Sequence, residues 1–343
     1  MESTRRPRLS PAIADLRRAV RDLLPEAGLV LVGLSGGADS LALAAATAFE
    51  APRAGLSAGA VIVDHGLQAG SAGTAAVAAE QARRLGLDPV LIVPVTVTPH
   101  TGDGPEAAAR TARYAAFEQA LAGTGAIAVL LGHTLDDQAE SVLLGLARGS
   151  GATSLQGMAS VSGPYRRPLL GIRRAVTRQA CLDADLPAWS DPQNADPRYA
   201  RVRVRERVLP VLEAELGPGI AEALARTADA LREDADALDA LVQGLVAGIC
   251  EPAGPGIGVS VAALAAQPAA LRQRMIRQVA AGEFGATLER SHTLAVARLV
   301  TDWHGQNALD LPGVRVERQG GMLLFSAPRH TPNKGLFHSH GTS

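Results

Sequence analysis

Four short apolar runs without alternation, each followed by a helical stretch, constrain this chain more than any other feature. Residues 28–33 (GLVLVG), 58–64 (AGAVIVD), 88–95 (DPVLIVPV) and 126–131 (AIAVLL) read as strands buried on both faces, because a half-solvated strand would alternate apolar with polar residues. The stretches 40–49, 71–86, 105–122 and 135–147 are rich in alanine and leucine with polar residues on one side, the pattern of amphipathic helices. Strand and helix in strict succession predict an α/β fold: a doubly wound, mostly parallel sheet with right-handed crossovers and helices on both faces. Ligands of such sheets collect beyond the carboxyl ends of the strands, near the reversal of strand order. The loops after these runs are therefore where chemistry is expected.

A chain of 343 residues is long enough for two domains. Past residue 150 the alternation gives way to proline- and arginine-rich connections around short helices, ending in RVRVRERVLPVL at 201–212, and Gly217-Pro218-Gly219 reads as a linker. The expected division is a catalytic domain over 1–216 and a second, smaller, helix-rich domain over 220–327. Helices are predicted there at 220–248, 263–282 and 288–301, with a terminal hairpin pairing 313–318 and 322–326 through Gln319-Gly320-Gly321. The tail 328–343 is expected to be mobile. No uninterrupted apolar run reaches the ~18 residues of a membrane span, and no apolar leader follows the basic N-terminus. The expectation is a cytoplasmic protein with no membrane partner; assembly into oligomers is left open by the sequence. Cys181 and Cys250 stand alone in stretches read as helical, offering neither a disulfide framework nor paired metal ligands, and are expected to be reduced and buried.

A formal net charge of −1 gives no global argument for a nucleic-acid partner, but charge is uneven along the chain. Between Arg148 and Pro210 eleven arginines face five acids, and Lys334 is the sole lysine. Arginine is the better fork for phosphate. A coding bias toward arginine would give the same composition with no phosphate to bind.

Three of the loops carry unusual residues. At 31–44 (LVGLSGGADSLALA) a buried strand turns through Ser35-Gly36-Gly37-Ala38-Asp39-Ser40 into a helix. Two glycines let the backbone approach a ligand, and the helix start offers unpaired N–H groups, so the turn suits an anion. It lacks both the Gly-Lys-Ser/Thr ending of a mononucleotide loop and the three-glycine dinucleotide spacing; a serine-capped tight turn would need small residues too. The second strand ends in Val63-Asp64-His65-Gly66-Leu67, where an adenine ring has room to lie or where an aspartate simply caps the strand. The fourth is followed by Gly132-His133-Thr134-Leu135-Asp136-Asp137-Gln138-Ala139-Glu140-Ser141. On a helix Asp136, Asp137 and Glu140 share one end of one face. Thr134 with Asp137 forms a capping-box pattern, which leaves Glu140 unexplained. Such a carboxylate cluster needs a cation, either Mg²⁺ or an ammonium group. Ahead of it, Arg110 and Arg113 stand three apart at a helix start, placed either for phosphate or for solvent.

The hexapeptide at 35–40 resembles the Ser-Gly-Gly-x-Asp-Ser signature of PP-loop ATP pyrophosphatases, Rossmann-like enzymes that split ATP into AMP and pyrophosphate. Taken in order, SGGADS, VDHGL (63–67), EAAARTARY (106–114), GHTLDDQAES (132–141), ARGSGATSLQGM (147–158), RPLL (167–170) and WSDPQNAD (189–196) resemble the tRNA(Ile)-lysidine synthetase family over about residues 28–212. The first signature marks only the superfamily; DDQxE joined to RGSGxxxLxGM is much more specific. Val202 stands where the family pattern has asparagine before the Arg-x-Arg pair.

This resemblance implies ATP and Mg²⁺, an isoleucine tRNA with a CAU anticodon, and L-lysine. ATP would adenylate the carbon-2 oxygen of the wobble cytidine, and the lysine ε-amine would displace AMP to give lysidine, switching decoding from AUG to AUA. It implies ATP contacts at Ser35, Gly36, Gly37, Ala38, Asp39, Ser40, Val63, His65, Arg110 and His133, with Asp39 facing the metal or the second substrate. Asp39, Asp137, Glu140 and Arg113 would carry the chemistry. Asp136, Asp137 and Glu140 would meet lysine, either holding its ammonium or taking its proton. Arg148, Arg203 and Arg205, within an arginine-rich part spanning about 148–212, would meet tRNA together with the second domain. A tRNA sulfurtransferase sharing the loop would need a thiol relay, which two isolated cysteines do not supply. Small-molecule PP-loop ligases and a non-catalytic RNA-binding protein are the other readings; the arginine-rich region disfavours the first and the intact acids the second.

Overall fold

The computed structural model describes residues 10–66, 70–96, 105–149, 151–189, 191 and 196–328. Its contacts divide the chain into two compact units, Met1–Arg232 and Glu233–Ser343. The division falls inside a long helix and not at Gly217-Pro218-Gly219.

The first unit opens with a helix that the sequence reading did not foresee, α1 (Pro11–Arg21). Ser10 caps it, Pro11 fits its first turn, and Ala12, Leu16 and Val20 are buried at a spacing of four. There follow β1 (Leu29–Gly33), α2 (Ala38–Glu50), β2 (Ser57–Asp64), α3 (Ser71–Arg84), β3 (Val90–Pro94), α4 (Pro105–Thr124), β4 (Ala128–Leu131) and α5 (Leu135–Ala147). All four expected strands and all four helices are present. A short helix α6 (Ala152–Leu155), a two-residue hairpin β5 (Val161–Ser162) and β6 (Tyr165–Arg166), and α7 (Arg174–Asp183) come next. A helical stretch then runs through α8 (Ala200–Arg203), a π-helical turn at Val204–Val208 and α9 (Leu209–Leu216).

The sheet order is β3-β2-β1-β4-β6-β5, parallel except for the β5–β6 pair. Within each all-apolar strand the side chains still alternate in direction. Val30, Val32 and Leu130 join one core with α1, α2, α3 and α7, while Leu31, Val61 and Val129 join the other with Phe117 and Ala120 of α4. Fully burying side chains such as Leu41, Leu43 and Leu130 stabilises the unit by about 1.5–3 kcal/mol each. The chain winds from β1 outward through β2 to β3, then returns to place β4 on the opposite side of β1. That reversal puts the loops after β1 and β4 side by side, at the position where a doubly wound sheet binds ligands.

The helix α10 (Ile220–Ala247) carries the unit boundary. The second unit holds β7 (Cys250–Ala253), β8 (Gly256–Ser260), α11 (Val261–Ala265), α12 (Ala269–Phe284), α13 (Arg290–Thr301), β9 (Leu309–Leu311), β10 (Val314–Gln319) and β11 (Met322–Ser326). The terminal hairpin stands as expected, but it is the centre of a five-stranded antiparallel sheet, β7-β8-β11-β10-β9. This corrects the expectation of a helical domain with a lone hairpin. The strands β7 and β8 lie in CEPAGPGIGVS, whose glycines and prolines read as loop, and Pro252 is accommodated because β7 is an edge strand. The helix expected over 263–282 is two, interrupted at Pro268, which N-caps α12. Cys250 is half-buried on β7, so both its helical placement and its burial are corrected; Cys181 is buried on α7. The tail expected to be mobile lies, from residue 329, outside the described residues.

Candidate active site

The turn after β1 is braced by its own serines. The Ser35 N–H donates to Ser40 Oγ (3.1 Å), the two hydroxyls stand 3.1 Å apart, and Ser40 Oγ donates to the Gly37 carbonyl at 3.0 Å. Gly36 takes a φ of +84°, open to glycine at little cost. Gly37 is the N-cap of α2 and provides no side-chain hydrogen bond, so the first amides of α2 keep their donors for an anion. The Trp189 N–H donates to the Gly36 carbonyl (2.9 Å), tying the start of WSDPQNAD to the loop; residues 190 and 192–195 of that motif lie outside the described residues.

The end of β4 closes on this turn at Gly132. A Cβ there would lie 3.0 Å from the Ser40 nitrogen and 3.1 Å from the Asp39 carbonyl carbon and oxygen. The missing side chain is what lets the start of α2 and the segment leading into α5 share one edge.

The capping box read from Thr134 and Asp137 is present. The Thr134 N–H and hydroxyl donate to Asp137 Oδ2 at 2.8 and 2.7 Å, and the Asp137 N–H donates to Thr134 Oγ1 at 3.4 Å. Capping uses one carboxylate oxygen only. The other, Oδ1, accepts from Arg174 Nη2 at 2.7 Å. About one helical turn on, Glu140 is fully buried and accepts the Arg205 fork, Nε to Oε1 at 2.7 Å and Nη2 to Oε2 at 3.1 Å, and also Arg174 Nη1 at 3.3 Å. Asp39 Oδ2 accepts from Arg174 Nε at 3.3 Å, and its Oδ1 accepts from the buried Thr177 hydroxyl. Asp39, Asp137 and Glu140 thus meet around one guanidinium. Asp136 stands apart, accepting the Arg174 backbone N–H at 2.7 Å and pairing with Arg173 at 3.6 Å.

Burial works against the charge on Asp39 and prevails, raising its pKa in spite of Thr177 and Arg174. For Asp137 burial is outweighed by Arg174 and the two Thr134 hydrogen bonds, and the pKa lies below the ordinary value. Asp137 is therefore better suited to hold an ammonium than to take its proton. Arg174 is held charged by the surrounding carboxylates against its own desolvation. His133, at the mouth of the same edge, is pushed down to about 4 by burial, and its Nδ1 has no hydrogen-bond partner.

The remaining expected residues are placed as follows. Val63 and His65 are half-buried at the end of β2, where Asp64 Oδ1 accepts the Gly66 N–H (3.1 Å); Leu67 lies outside the described residues. Arg110 and Arg113 are exposed on α4, Arg110 donating to the Tyr114 hydroxyl (3.2 Å) and lying 4.9 Å over its ring. Arg148 is exposed at the end of α5. Arg203 donates to the carbonyls of Pro197 and Arg198 (2.8 and 2.7 Å). Arg205, expected at the tRNA, is carried by the π-helical turn and closes on Glu140. Sequence reasoning missed Arg174 and Thr177, and it missed Gln138. The buried Gln138 amide donates to the Met158 carbonyl (2.9 Å) and accepts the Met158 N–H (2.6 Å), so the DDQxE helix and the LQGM loop are bonded directly to each other.

Among the described residues no group of three or more His, Cys, Asp or Glu side chains is arranged to hold a metal. Mg²⁺ commonly takes only one or two carboxylates beside phosphate oxygens and water, so a single aspartate at the phosphate cradle suits an ion that arrives with a nucleotide.

A family model described as a PP-loop domain matches residues 10–212, and one described as the TilS substrate binding domain matches residues 260–324. A protein of Leifsonia xyli subsp. xyli named tRNA(Ile)-lysidine synthase is 61% identical over 88% of this chain and 91% of its own. Proteins of the same name from Streptomyces coelicolor and Thermobifida fusca are 55% and 54% identical, over 88% and 91% of this chain and 86% and 95% of theirs. Among solved structures, the U34-tRNA thiolase NcsA from Methanococcus maripaludis, with its 4Fe-4S cluster, matches with a TM-score of 0.54 over 65% of this chain and 80% of that one. At 20% identity this last likeness speaks for the fold alone.

Proposed function

The chain belongs to the tRNA(Ile)-lysidine synthase family of PP-loop enzymes, ATP-dependent ligases that form a carbon–nitrogen bond, and from that premise we propose how its own residues divide the work. The substrates are ATP, L-lysine and an isoleucine tRNA with a CAU anticodon. In the first step the carbon-2 oxygen of the wobble cytidine bonds to the α-phosphorus of ATP and pyrophosphate leaves. In the second, the lysine ε-amine bonds to carbon 2, the bond from carbon 2 to its oxygen breaks, and AMP departs with that oxygen. The product, lysidine, moves decoding from AUG to AUA.

The observation that carries this reading is the meeting of Asp39, Asp137 and Glu140 at the sheet edge beside the Ser35–Ser40 cradle. The open amides of α2 and the serine hydroxyls receive the pyrophosphate, where charge-assisted hydrogen bonds contribute about 1.5–3 kcal/mol each. Asp39, in the first turn of that helix, is the ligand for a Mg²⁺ ion, which when bound would offset the charge of the leaving pyrophosphate. Asp137 and Glu140 hold the lysine ammonium until it loses the proton that would block its attack. His133, neutral at physiological pH, and the strand end at Val63 and His65 border the space for the adenosine. Arg110 and Arg113 face the α-phosphate, and Arg148 and Arg203 track tRNA phosphates. A thiol relay is disfavoured by Cys181, whose thiol is buried, donates to the Ala38 carbonyl and is pushed up to about 11 by that burial. No helix among the described residues is long and apolar enough to cross a membrane, and we place the reaction in the cytoplasm.

The test is incorporation of labelled lysine with ATP, Mg²⁺ and unmodified transcripts, comparing the CAU isoleucine tRNA with an elongator methionine tRNA of the same anticodon. Label on the isoleucine tRNA alone is expected. Pyrophosphate release without label on either tRNA would keep the adenylation and refute lysine as the nucleophile.

A further inference from the structure

Arg174 stands in an electrostatically unfavourable place. It is the first residue of α7, where the helix dipole opposes a cation, and its side chain is only 11% exposed, so it has given up most of its hydration. Three carboxylates from two other elements compensate: Asp39 from α2, and Asp137 and Glu140 from α5, each within 3.3 Å of a different guanidinium nitrogen. The same helix reaches Asp39 again through Thr177, and Asp136 through the Arg174 backbone N–H. A planar guanidinium with five donors can serve three carboxylates at once; a lysine ammonium on a flexible stem cannot hold that geometry.

The charges around it are uneven. With no metal at Asp39, the carboxylates of Asp39, Asp137 and Glu140, when ionised, face two guanidiniums, Arg174 and Arg205, which leaves one negative charge over. We propose that Arg174 is a positioning residue that permanently fills one cation seat of this cluster, fixing the phosphate-side aspartate against the two α5 carboxylates and leaving a single seat for a single ammonium. This inference rests on the reading of Asp137 and Glu140 as the lysine site. Without Arg174 the cluster offers two seats, and the lysine ammonium settles in the vacated one, away from the reacting carbon.

The experiment is steady-state lysidine formation by Arg174→Ala and Arg174→Lys, varying lysine at saturating ATP and tRNA, with and without ethylguanidinium, which replaces the atoms that the alanine variant lacks. The expected result for Arg174→Ala is a kcat about a hundredfold lower, the scale of a misplaced reactant, together with a lower KM for lysine. Ethylguanidinium should restore kcat in Arg174→Ala, ethylammonium should not, and Arg174→Lys should stay slow. Three results would overturn the inference: a kcat near that of the wild type, faster turnover at low lysine, or a folded alanine variant that ethylguanidinium leaves unrescued. A wild-type protein that transfers no lysine refutes the lysine site itself, and the inference with it, and the wild-type arm tells that failure apart.

Discussion

Gly132→Ala adds one methyl group at the point where the end of β4 meets the Ser35–Ser40 turn, and its effect can be worked from the backbone alone. The new Cβ would sit 3.0 Å from the Ser40 nitrogen and 3.1 Å from the Asp39 carbonyl carbon and oxygen. Ordinary contact requires about half an ångström more, and every clashing atom is backbone, so no side chain can rotate out of the way. Gly132 is not among the glycines with positive φ, so alanine's backbone preference adds no strain of its own. Overpacking of this kind costs about 1–3 kcal/mol. For a unit of this size that lowers the melting temperature by roughly 2–10 °C. Relief comes from shifting the first turn of α2, which carries Asp39 and Ser40, so tRNA-dependent pyrophosphate release should fall by about ten- to a hundredfold. Gly123→Ala is the control: it lies on α4 with open space around it, and should stabilise by about 0.5–1 kcal/mol with unchanged turnover. A Gly132→Ala protein that melts and releases pyrophosphate like the wild type would show that the close approach of β4 to the loop has no part in catalysis.

Asp137→Asn should lower lysine incorporation by about 10²–10⁴-fold while tRNA-dependent pyrophosphate release continues; loss of both together would assign this carboxylate to the nucleotide side. The half-buried, desolvated His133 predicts a pH dependence of stability. Its folded pKa of about 4 lies below the ordinary 6.5, so between those values the unfolded chain binds a proton that the folded one refuses, and stability falls as pH drops through that window. The wild type should lose about 2–3 kcal/mol more than His133→Gln between pH 7 and pH 4.5 in urea melts. Parallel losses in the two proteins would refute a neutral, desolvated imidazole.

The sheet and its helices were legible because each strand is a short apolar run and each helix an alanine- and leucine-rich stretch between two such runs; Thr134 with Asp137 announced both the start of α5 and its capping box. The core of the site was legible only by half. Acids in the first turn of a helix after a buried strand stand out, whereas Arg174 is one of several arginines in IRRAVTR, with nothing local to say which of them turns inward. Its partners are distant in sequence, Asp39 by 135 positions. The one available signal was its location in the first turn of α7, where a cation is disfavoured and so needs an explanation. Arg205 was hidden in the same way, since a simple helical wheel does not anticipate a π-turn. The sheet of the second unit was missed because three of its strands are short, and two of those are broken by glycine and proline.

The pairing of β1 with β4 sets an order of events as the chain leaves the ribosome. Gly33 pairs with Val61 on one side and Leu131 on the other, so the central strand gains its second neighbour only after β2, β3 and α4 have emerged. At roughly 5–20 residues per second, β1 waits on the order of 5–20 s for β4, and longer still for Arg174. During that interval the nascent strand keeps one unpaired, wholly apolar edge, the kind of surface that recruits chaperones or neighbouring chains. The turn at Ser35–Ser40, made early, is thus completed only once β4 arrives, and a translation pause placed before residue 128 would prolong its most vulnerable state.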